Sequence, residues 1–260
     1  MITSIEIKQR AREFAVPTST IERDYAQNWL LAALSPINMA LKGGTGIRKV
    51  FFEDYRFSDD LDFTLLDEID ADTLREAVKD TVVHVRDESG ILFEDEVSFR
   101  ATKSGFKATT RFRILAKGSA SPVKIDLDLT SPDQERVLLP VNMRPVFHPY
   151  SDGLVVSVTS YTLEEIMAEK IRSVFQRTRS RDLFDIWKLA DVVNRQDVRS
   201  ILRQKCEYKS VIADTATLIV KRNQFAALWR VSLAHQMSAI PDFDEAFNKV
   251  LEELEGYATA

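Results

Sequence analysis

The chain has 260 residues and a formal net charge of −5, with 45% hydrophobic and 29% charged residues, as in an ordered soluble protein. Its single cysteine and three histidines exclude an internal disulfide and a Cys/His zinc site of ordinary ligand count, so its chemistry must come from oxygen and nitrogen groups. The N-terminal segment lacks the apolar core of a signal peptide, and no stretch approaches the roughly 20 apolar residues of a membrane span. We therefore expect a cytoplasmic protein with no membrane contact, and the net charge leaves its partner open.

The first half of the chain alternates between helical and strand patterns. Residues 4–15 predict a short helix, and the segment IERDYAQNWLLAALS predicts a second one with Ser19 or Thr20 as its N-cap. RFSDDLDFTLL, at residues 56–66, alternates with the period of a β-strand. ADTLREAVKDTVVHVRDESG then predicts a helix that ends at Gly90.

Strands continue beyond this helix before the pattern becomes helical. Residues 91–130 predict an antiparallel hairpin joined to a longer strand, and VVSV at 155–158 predicts a last short strand. The pattern beyond Ser160 is helical. We therefore predict an α+β fold with a mixed sheet and N-terminal helices in a domain at 1–158, followed by a helical domain at 159–260.

The strand predicted at 56–66 carries aspartates on one face. Residues two apart in a strand point to the same side, so Asp60 and Asp62 share a face while apolar side chains line the other. Neighbouring carboxylates on a partly buried surface repel each other unless a cation neutralises them. Mg²⁺ or Mn²⁺ is suited to such a pair, although a solvated edge strand with scattered acids explains the same pattern.

The segment KIDLDLT, at residues 124–130, repeats this design. Lys124, Asp126 and Asp128 alternate with apolar residues that line the opposite face. Asp126 would be the third carboxylate of a two-metal cluster with Asp60 and Asp62. A surface strand decorated with lysine and aspartate is the alternative interpretation.

A glycine pair precedes the first acidic strand, in LKGGTGIRKVFF. Gly43 and Gly44 lack a Cβ, so a turn there brings backbone N–H groups close to a phosphate, and Thr45 adds a hydroxyl. The segment is not a Walker A motif, because no Gly-Lys-Ser/Thr sequence follows it.

The first helix of the second half has clear start signals. Thr162 as N-cap and Glu165 three residues later predict a capping box. Lys170, Arg177 and Arg181 lie along one line if the helix continues that far, which is suited to binding a triphosphate or RNA phosphate. A solvated basic face is the alternative.

Two further patterns have both a functional and a structural interpretation. Ser180 is predicted to cap a second helix, and Asp182 and Asp185 in its first turn favour the dipole of any helix. Lys107 and Arg111 share a face of the predicted hairpin with Arg113. That face is suited to an RNA backbone, but exposed hairpins also carry basic residues for edge protection.

In chain order, the motifs GGT, R-x-S-x-D-x-D, K-x-D, T-x-x-E-x-x-A-x-K and R-D-x-x-D resemble those of the AbiEii/AbiGii toxin family. This family includes the MenT toxins and belongs to the polymerase-β-like nucleotidyltransferase superfamily. The resemblance runs from residue 42 to residue 189. It implies a polymerase-β-like mixed sheet followed by a helical C-terminal region, and a toxin of a bacterial toxin–antitoxin or phage-defence system with an NTP substrate and a cognate antitoxin.

The resemblance also implies roles for individual residues. Asp60 and Asp62 would hold the metal, Ser58 and Lys170 would contact the nucleotide, and Asp182 would be a further catalytic acid. Some members transfer nucleotides to the 3′ end of tRNA, whereas others are known mainly as GTP binders. Residues 45–59 separate Gly44 from Asp60, a longer spacing than in minimal nucleotidyltransferases.

We therefore expect a nucleotidyltransferase that moves NMP from an NTP to an RNA acceptor, the 3′ end of tRNA, and releases pyrophosphate. The catalytic residues would be Asp60, Asp126, Lys170 and Asp182. Arg177 would bind the nucleotide with Lys170. The alternatives are an NTP-binding or RNA-binding protein without turnover, and transfer to a hydroxyl of a small molecule or a protein.

Overall fold

The structure is a computed structural model that describes residues 1–115 and 121–258. Its internal contacts divide the chain into a sheet unit and a helical unit. The sheet unit is Met1–Arg136 with Val141–Tyr161, and the helical unit is Val137–Pro140 with Thr162–Ala260. Among the described residues, no helix combines the length and the apolar character needed to cross a bilayer.

The sheet unit combines four helices with every described strand. The helices are α1 (Ser4–Glu13), α2 (Thr18–Ala33), α3 (Gly43–Gly46) and α4 (Ala71–Ser89), with a π-helical segment at Ile47–Phe51. The strands are β1 (Met39–Lys42), β2 (Leu61–Leu65), β3 (Leu92–Phe93), β4 (Ser98–Thr102), β5 (Gly105–Arg113), β6 (Val123–Thr130), β7 (Asn142–Pro145) and β8 (Ser157–Ser160).

These strands form one mixed sheet, which confirms the predicted fold class. The order within the described residues is β3-β5-β6-β2-β1-β8-β7, with β4 paired to β5. The pairs β2–β6 and β1–β8 are parallel, and the others are antiparallel. Alternate residues of β2 and β6, including Leu61, Phe63, Ile125 and Leu127, join residues of α2 and α4 in one apolar core.

The predicted strand at 56–66 is shorter in the structure, because β2 begins only at Leu61. The backbone just before it is held by side chains instead of by a neighbouring strand. Gln27 Nε2 donates to the carbonyl oxygens of Ser58 at 3.1 Å and Asp59 at 3.2 Å, and the Thr45 hydroxyl donates to the carbonyl oxygen of Asp60. Ser58 and Asp60 therefore lie on a bend that leads into the strand.

Several predicted element ends differ from the structure. Helix α2 begins at Thr18, with Pro17 in extended conformation at the N-cap and no side-chain cap, so Ser19 and Thr20 lie inside the helix. The end of the predicted second hairpin strand, at residues 116–118, lies outside the described residues.

The sequence analysis missed β7 and placed the last strand too early. Strand β7 has no apolar alternation, and among the described strands it pairs only with β8, from Asn142 opposite Ser160 to Pro145 opposite Ser157. A proline is tolerated there because β7 is an edge strand.

The helical unit has six helices within the described residues. They are α5 (Leu163–Gln176), α6 (Ser180–Leu189), α7 (Arg195–Tyr208), α8 (Thr215–Val220), α9 (Arg222–Leu233) and α10 (Phe243–Ala258). Helix α5 ends at Gln176, and Arg177 is extended with φ −145° and ψ 159°. The predicted basic line through Lys170, Arg177 and Arg181 therefore does not exist.

Two predicted caps in this unit also differ. Arg179 is the N-cap of α6, and the Ser180 hydroxyl instead donates to the Phe225 carbonyl oxygen at 2.8 Å. The capping box of α5 is half formed, because Thr162 Oγ1 accepts the Glu165 N–H at 3.2 Å but the Glu165 carboxylate has other partners.

A buried ionic cluster replaces the second half of that capping box. The Glu165 carboxylate accepts N–H groups from Leu138 at 3.1 Å and Leu139 at 2.8 Å. Lys205 Nζ lies 2.7 Å from Glu165 Oε1 and 3.0 Å from Glu169 Oε1. This cluster attaches the segment Val137–Pro140 to α5 and α7.

We predict that Lys205→Met destabilises the protein by about 3–5 kcal/mol, because it leaves the carboxylates of Glu165 and Glu169 close together without their shared cation. Lys249→Met is the matched control, since Lys249 pairs with Asp191 at the surface, where an ion pair contributes little to stability. Urea unfolding followed by circular dichroism measures both changes. Equal losses in the two variants would contradict the prediction.

Candidate active site

Charged residues from five neighbouring strands lie opposite one another in the sheet. Strand register places Lys42 opposite Asp62, Asp62 opposite Asp128, Asp128 opposite Lys107, and Lys107 opposite Arg100. Directly opposite residues point to the same side of a sheet, and neighbouring strands are about 4.8 Å apart. These residues therefore form a row on the side of the sheet that we call the polar face.

Asp126 lies on the polar face among basic and hydroxyl groups. Lys107 Nζ and Lys124 Nζ lie 2.9 Å and 2.8 Å from Asp126 Oδ2, and the Thr109 hydroxyl donates to Oδ1 at 2.7 Å. Burial alone would raise the pKa of Asp126, but the hydrogen bonds from Lys124, Thr109 and Lys107 lower it to about 2. Both carboxylate oxygens therefore have partners within the protein.

Asp128 is the nearer cross-strand neighbour of Asp62. Its side chain is 42% exposed, against 7% for Asp126, and Lys107 Nζ lies 3.5 Å from its Oδ2. Burial and the neighbouring Asp62 raise the pKa of Asp128 above its ordinary range. The sequence analysis placed Asp128 on this face without a role, because alternation identifies the face but not which residues of two strands are adjacent.

The glycine turn, which is Gly43 and Gly44 at the start of α3, lies directly against the acidic strand β2. Gly43 has φ +68°, and a Cβ added there would lie 2.5 Å from Asp62 Oδ2. A Cβ on Gly44 would lie 2.7 Å from Arg56 Nη2 and 3.2 Å from Ser58 Oγ. Antiparallel pairing of β1 with β2 returns the chain to this point, so the long 45–59 connection does not separate the glycines from the acids.

Side chains of α2 support the backbone that carries the acids. Arg23 Nη1 lies 2.7 Å from Asp59 Oδ1, and Arg23 Nε donates to the Lys124 carbonyl oxygen at 3.0 Å. Together with Gln27, Arg23 links the bend before β2 to the start of β6. The sequence analysis missed both residues, since helical periodicity does not reveal which distant carbonyl a polar side chain contacts.

Thr45 is fully buried, and its hydroxyl donates to the Asp60 carbonyl oxygen. In this structure Thr45 therefore holds the bend that carries Asp60, and its binding of the nucleotide stays a prediction.

The remaining predicted residues meet in the helical unit. Lys170 Nζ lies 2.7 Å from Asp182 Oδ1 and 2.8 Å from Asp185 Oδ2, and Arg177 Nε lies 3.0 Å from Asp182 Oδ2. Burial would raise the pKa of Asp182, but Lys170 and Arg177 hold it well below its ordinary range. The interpretation that Asp182 and Asp185 only interact with the helix dipole is therefore incomplete, because both form buried ion pairs with Lys170.

The predicted residues thus form two groups, one in each unit. The sheet unit brings together the glycine turn and the acidic strands, with Gly43, Gly44, Thr45, Ser58, Asp60, Asp62 and Asp126. The helical unit brings together Lys170, Arg177 and Asp182.

The donor set of the sheet unit fits a hard divalent cation. Asp62 and Asp128 supply carboxylate oxygens side by side, and the Lys107 ammonium group already lies among the acids, where it stands in for a cation. Burial would lower the pKa of Lys107, but Coulombic attraction to Asp128, Asp126 and Asp60 contributes to raising it. Within the described ranges, no group of three or more His, Cys, Asp or Glu side chains forms a metal site by itself. Mg²⁺ commonly takes one or two protein carboxylates and completes its shell with phosphate oxygens and water, so two carboxylates are compatible with it.

We predict that Gly43→Ala displaces Asp62 as well as straining the turn, because the added methyl would overlap the carboxylate. Gly153→Ala is the matched control, since Gly153 has φ +69° and open space around its Cβ position. Both variants should lose about 1–2 kcal/mol from backbone strain, and Gly43→Ala should lose more. Urea unfolding measures the difference, and an equal loss in both variants would exclude a close approach of the turn to Asp62.

We predict that the stabilisation from Asp182 depends on pH. Its pKa is lowered on folding, so its contribution is complete at neutral pH and declines as the pH falls through the ordinary aspartate pKa of about 4. The difference in unfolding free energy between the wild type and Asp182→Asn should therefore shrink from about pH 7 to about pH 3.5. Asp197→Asn, at an exposed position of α7, is the control, and a pH-independent difference for Asp182 would contradict the prediction.

Comparison with solved structures supports the same fold. MenT4, a nucleotidyltransferase toxin from Mycobacterium tuberculosis, is 17% identical with a TM-score of 0.73, over 100% of this chain and 91% of that one. JHP933 from Helicobacter pylori is 19% identical with a TM-score of 0.58, over 93% of each chain. No functionally curated protein matches the chain significantly.

The profile of the family described as nucleotidyl transferase AbiEii toxin, type IV toxin–antitoxin system, matches residues 28–252. This range includes the glycine turn, both acidic strands and the Lys170–Asp182 ion pair. The chain therefore belongs to the AbiEii family and is a nucleotidyltransferase of a toxin–antitoxin system.

Proposed function

We propose that this nucleotidyltransferase transfers NMP from an NTP to an RNA acceptor, the 3′ end of tRNA, and so blocks translation. The observation that most supports a triphosphate site is the approach of Gly43 to Asp62, because it brings a backbone turn beside neighbouring carboxylates. The RNA acceptor rests on the family resemblance.

In this proposal the sheet unit binds the triphosphate. Backbone N–H groups at Gly43 and Gly44 and the hydroxyl of Ser58 contact its phosphates, and Thr45 assists by holding the bend. Asp60 and Asp62, with a third carboxylate, hold Mg²⁺ or Mn²⁺, which when bound neutralises the phosphate charge. The sequence predicts Asp126 as that third carboxylate. The register of β2 with β6 adds Asp128 as a second candidate.

The transfer needs orientation and charge neutralisation more than covalent participation by the protein. The acceptor hydroxyl oxygen forms a bond to the α-phosphorus, and the bond from that phosphorus to the bridging oxygen of the β-phosphate breaks. Pyrophosphate leaves with the electron pair. The hydroxyl proton passes to a carboxylate of the polar face.

The roles proposed for Lys170, Arg177 and Asp182 of the helical unit in nucleotide binding and catalysis rest on the family resemblance. Two carboxylates hold the Lys170 ammonium group in one place, so its charge is oriented before the substrate arrives. Arg177 is more exposed, at 45% of its side chain, and it offers a planar fork to phosphate oxygens.

We predict that Asp60→Asn lowers NMP transfer at least ~10²-fold, because it removes a charge that the transition state requires. Asp54→Asn, an exposed acid of the preceding turn, is the matched control and should keep full activity. Asp126→Asn and Asp128→Asn, compared in the same assay, identify the third carboxylate by the larger loss. The measurement is incorporation of label from each α-labelled NTP into total tRNA, and undiminished labelling by Asp60→Asn would refute the proposal.

The same assay separates the alternatives. Pyrophosphate release that needs RNA supports transfer to RNA, and release without RNA indicates a small-molecule or protein hydroxyl as acceptor. Nucleotide binding without release indicates a binding protein. The type IV toxin family implies a cognate antitoxin, and we propose a cytoplasmic location for the toxin.

A further inference from the structure

The β4–β5 hairpin, residues 98–113, is the most basic segment of the sheet unit. It contains Arg100, Lys103, Lys107, Arg111 and Arg113 and no acidic residue, in a chain whose net charge is −5. Solubility alone does not require such a one-sided composition, because mixed charges serve that purpose equally well.

Packing on its other side fixes the direction of the hairpin. Phe99 and Phe106 stack with ring centroids 5.4 Å apart, and both rings pack against the apolar core. The Arg75 guanidinium of α4 lies 5.4 Å from the Phe99 ring centroid. Because side chains alternate along a strand, Arg100, Lys107 and Arg111 point to the opposite side, which is the polar face.

Individual contacts distinguish these basic residues from one another. Arg113 pairs with Glu94 at 2.9 Å, and Lys107 pairs with Asp126 and Asp128. Arg100 and Arg111 form no ion pair or side-chain hydrogen bond with any other residue that the structure describes. Their guanidinium groups are therefore available to an external anion.

Register connects this basic surface to the candidate active site. Arg100 is opposite Lys107, which is opposite Asp128, and Asp128 is opposite Asp62. Three strand spacings of about 4.8 Å place Arg100 roughly 14 Å from Asp62 along the row. That distance exceeds the Debye length of about 10 Å at 0.1 M salt, so Arg100 must act by direct contact with an extended ligand.

We propose that Arg100 and Arg111 form an RNA-binding surface that holds the sugar–phosphate backbone of the acceptor as it approaches the carboxylates of the polar face. The inference rests on the proposed function, which needs a polyanionic acceptor to reach an acidic site. Guanidinium groups suit phosphate because their fork of donors matches its oxygens. Edge protection of β4 explains basic residues at the hairpin, but not the position of Arg100 in the row that leads through Lys107 to Asp128 and Asp62.

The test measures RNA binding without NTP or divalent metal, so that it does not depend on turnover. Fluorescence anisotropy of labelled total tRNA is compared for the wild type, Arg100→Glu/Arg111→Glu, and the matched charge reversal Lys8→Glu on the exposed side of α1. Adding Arg12→Glu to Lys8→Glu matches the control to the double variant in total charge, because Arg12 is also exposed on α1. We expect the Arg100→Glu/Arg111→Glu variant to bind at least ~10-fold more weakly and Lys8→Glu/Arg12→Glu to bind as the wild type does. A milder Arg100→Gln/Arg111→Gln variant covers the case in which charge reversal prevents folding.

Salt dependence gives a second readout. Each lost phosphate contact should reduce the slope of log affinity against log salt by about 0.7–0.9, so the double Gln variant should lose about 1.4–1.8. Equal affinity of wild type and variants, or no tRNA binding by the wild type, would overturn the proposal. If poly-glutamate binds as tightly as tRNA and depends equally on both arginines, the assignment of the surface to RNA is overturned.

The results can refute the RNA-binding surface and the proposed function independently of each other. If the variants bind tRNA as tightly as the wild type and still transfer NMP to RNA, the RNA-binding surface is refuted. The proposed function is then unaffected. Arginine-dependent tRNA binding without label incorporation from any NTP supports the surface and refutes the transferase proposal.

Discussion

The sheet unit depends on the parallel pairing of β2 with β6, which places Asp62 directly beside Asp128. Two carboxylates in neighbouring strands repel each other, so this register is tolerable only with a cation nearby. Lys107 on β5 supplies that charge within the chain. In the proposed function, the same arrangement would supply oxygen donors for the divalent cation that accompanies a triphosphate.

A second constraint operates on the backbone that enters β2. The carbonyl groups of residues 58–60 accept hydrogen bonds from Gln27 and Thr45, and a buried carbonyl without a partner would cost about 1–3 kcal/mol. Because side chains satisfy these groups, the segment can leave the sheet and form a bend.

Two buried lysines of the helical unit have similar surroundings. Lys170 lies between Asp182 and Asp185, and Lys205 lies between Glu165 and Glu169. Pairing of this kind offsets the desolvation of a buried charge, and it holds the ammonium group in one position. The family motif that contains Glu165 and Lys170 thus includes a residue that stabilises the fold alongside one proposed to act on the nucleotide.

Local patterns in the chain were sufficient to predict the fold class, the family and the alternation of apolar and acidic residues in both acidic strands, because periodicity and motif order do not depend on distant contacts. They also located most helices and strands, with errors at their ends, where hydrogen bonds from distant residues such as Gln27 decide the boundary. Which residues are adjacent became clear only from the folded chain. Strand register paired Asp62 with Asp128, and the end of α5 at Gln176 separated Arg177 from the line of Lys170 but left both beside Asp182. Contacts between residues far apart in the chain depend on packing and register, which one sequence does not specify position by position.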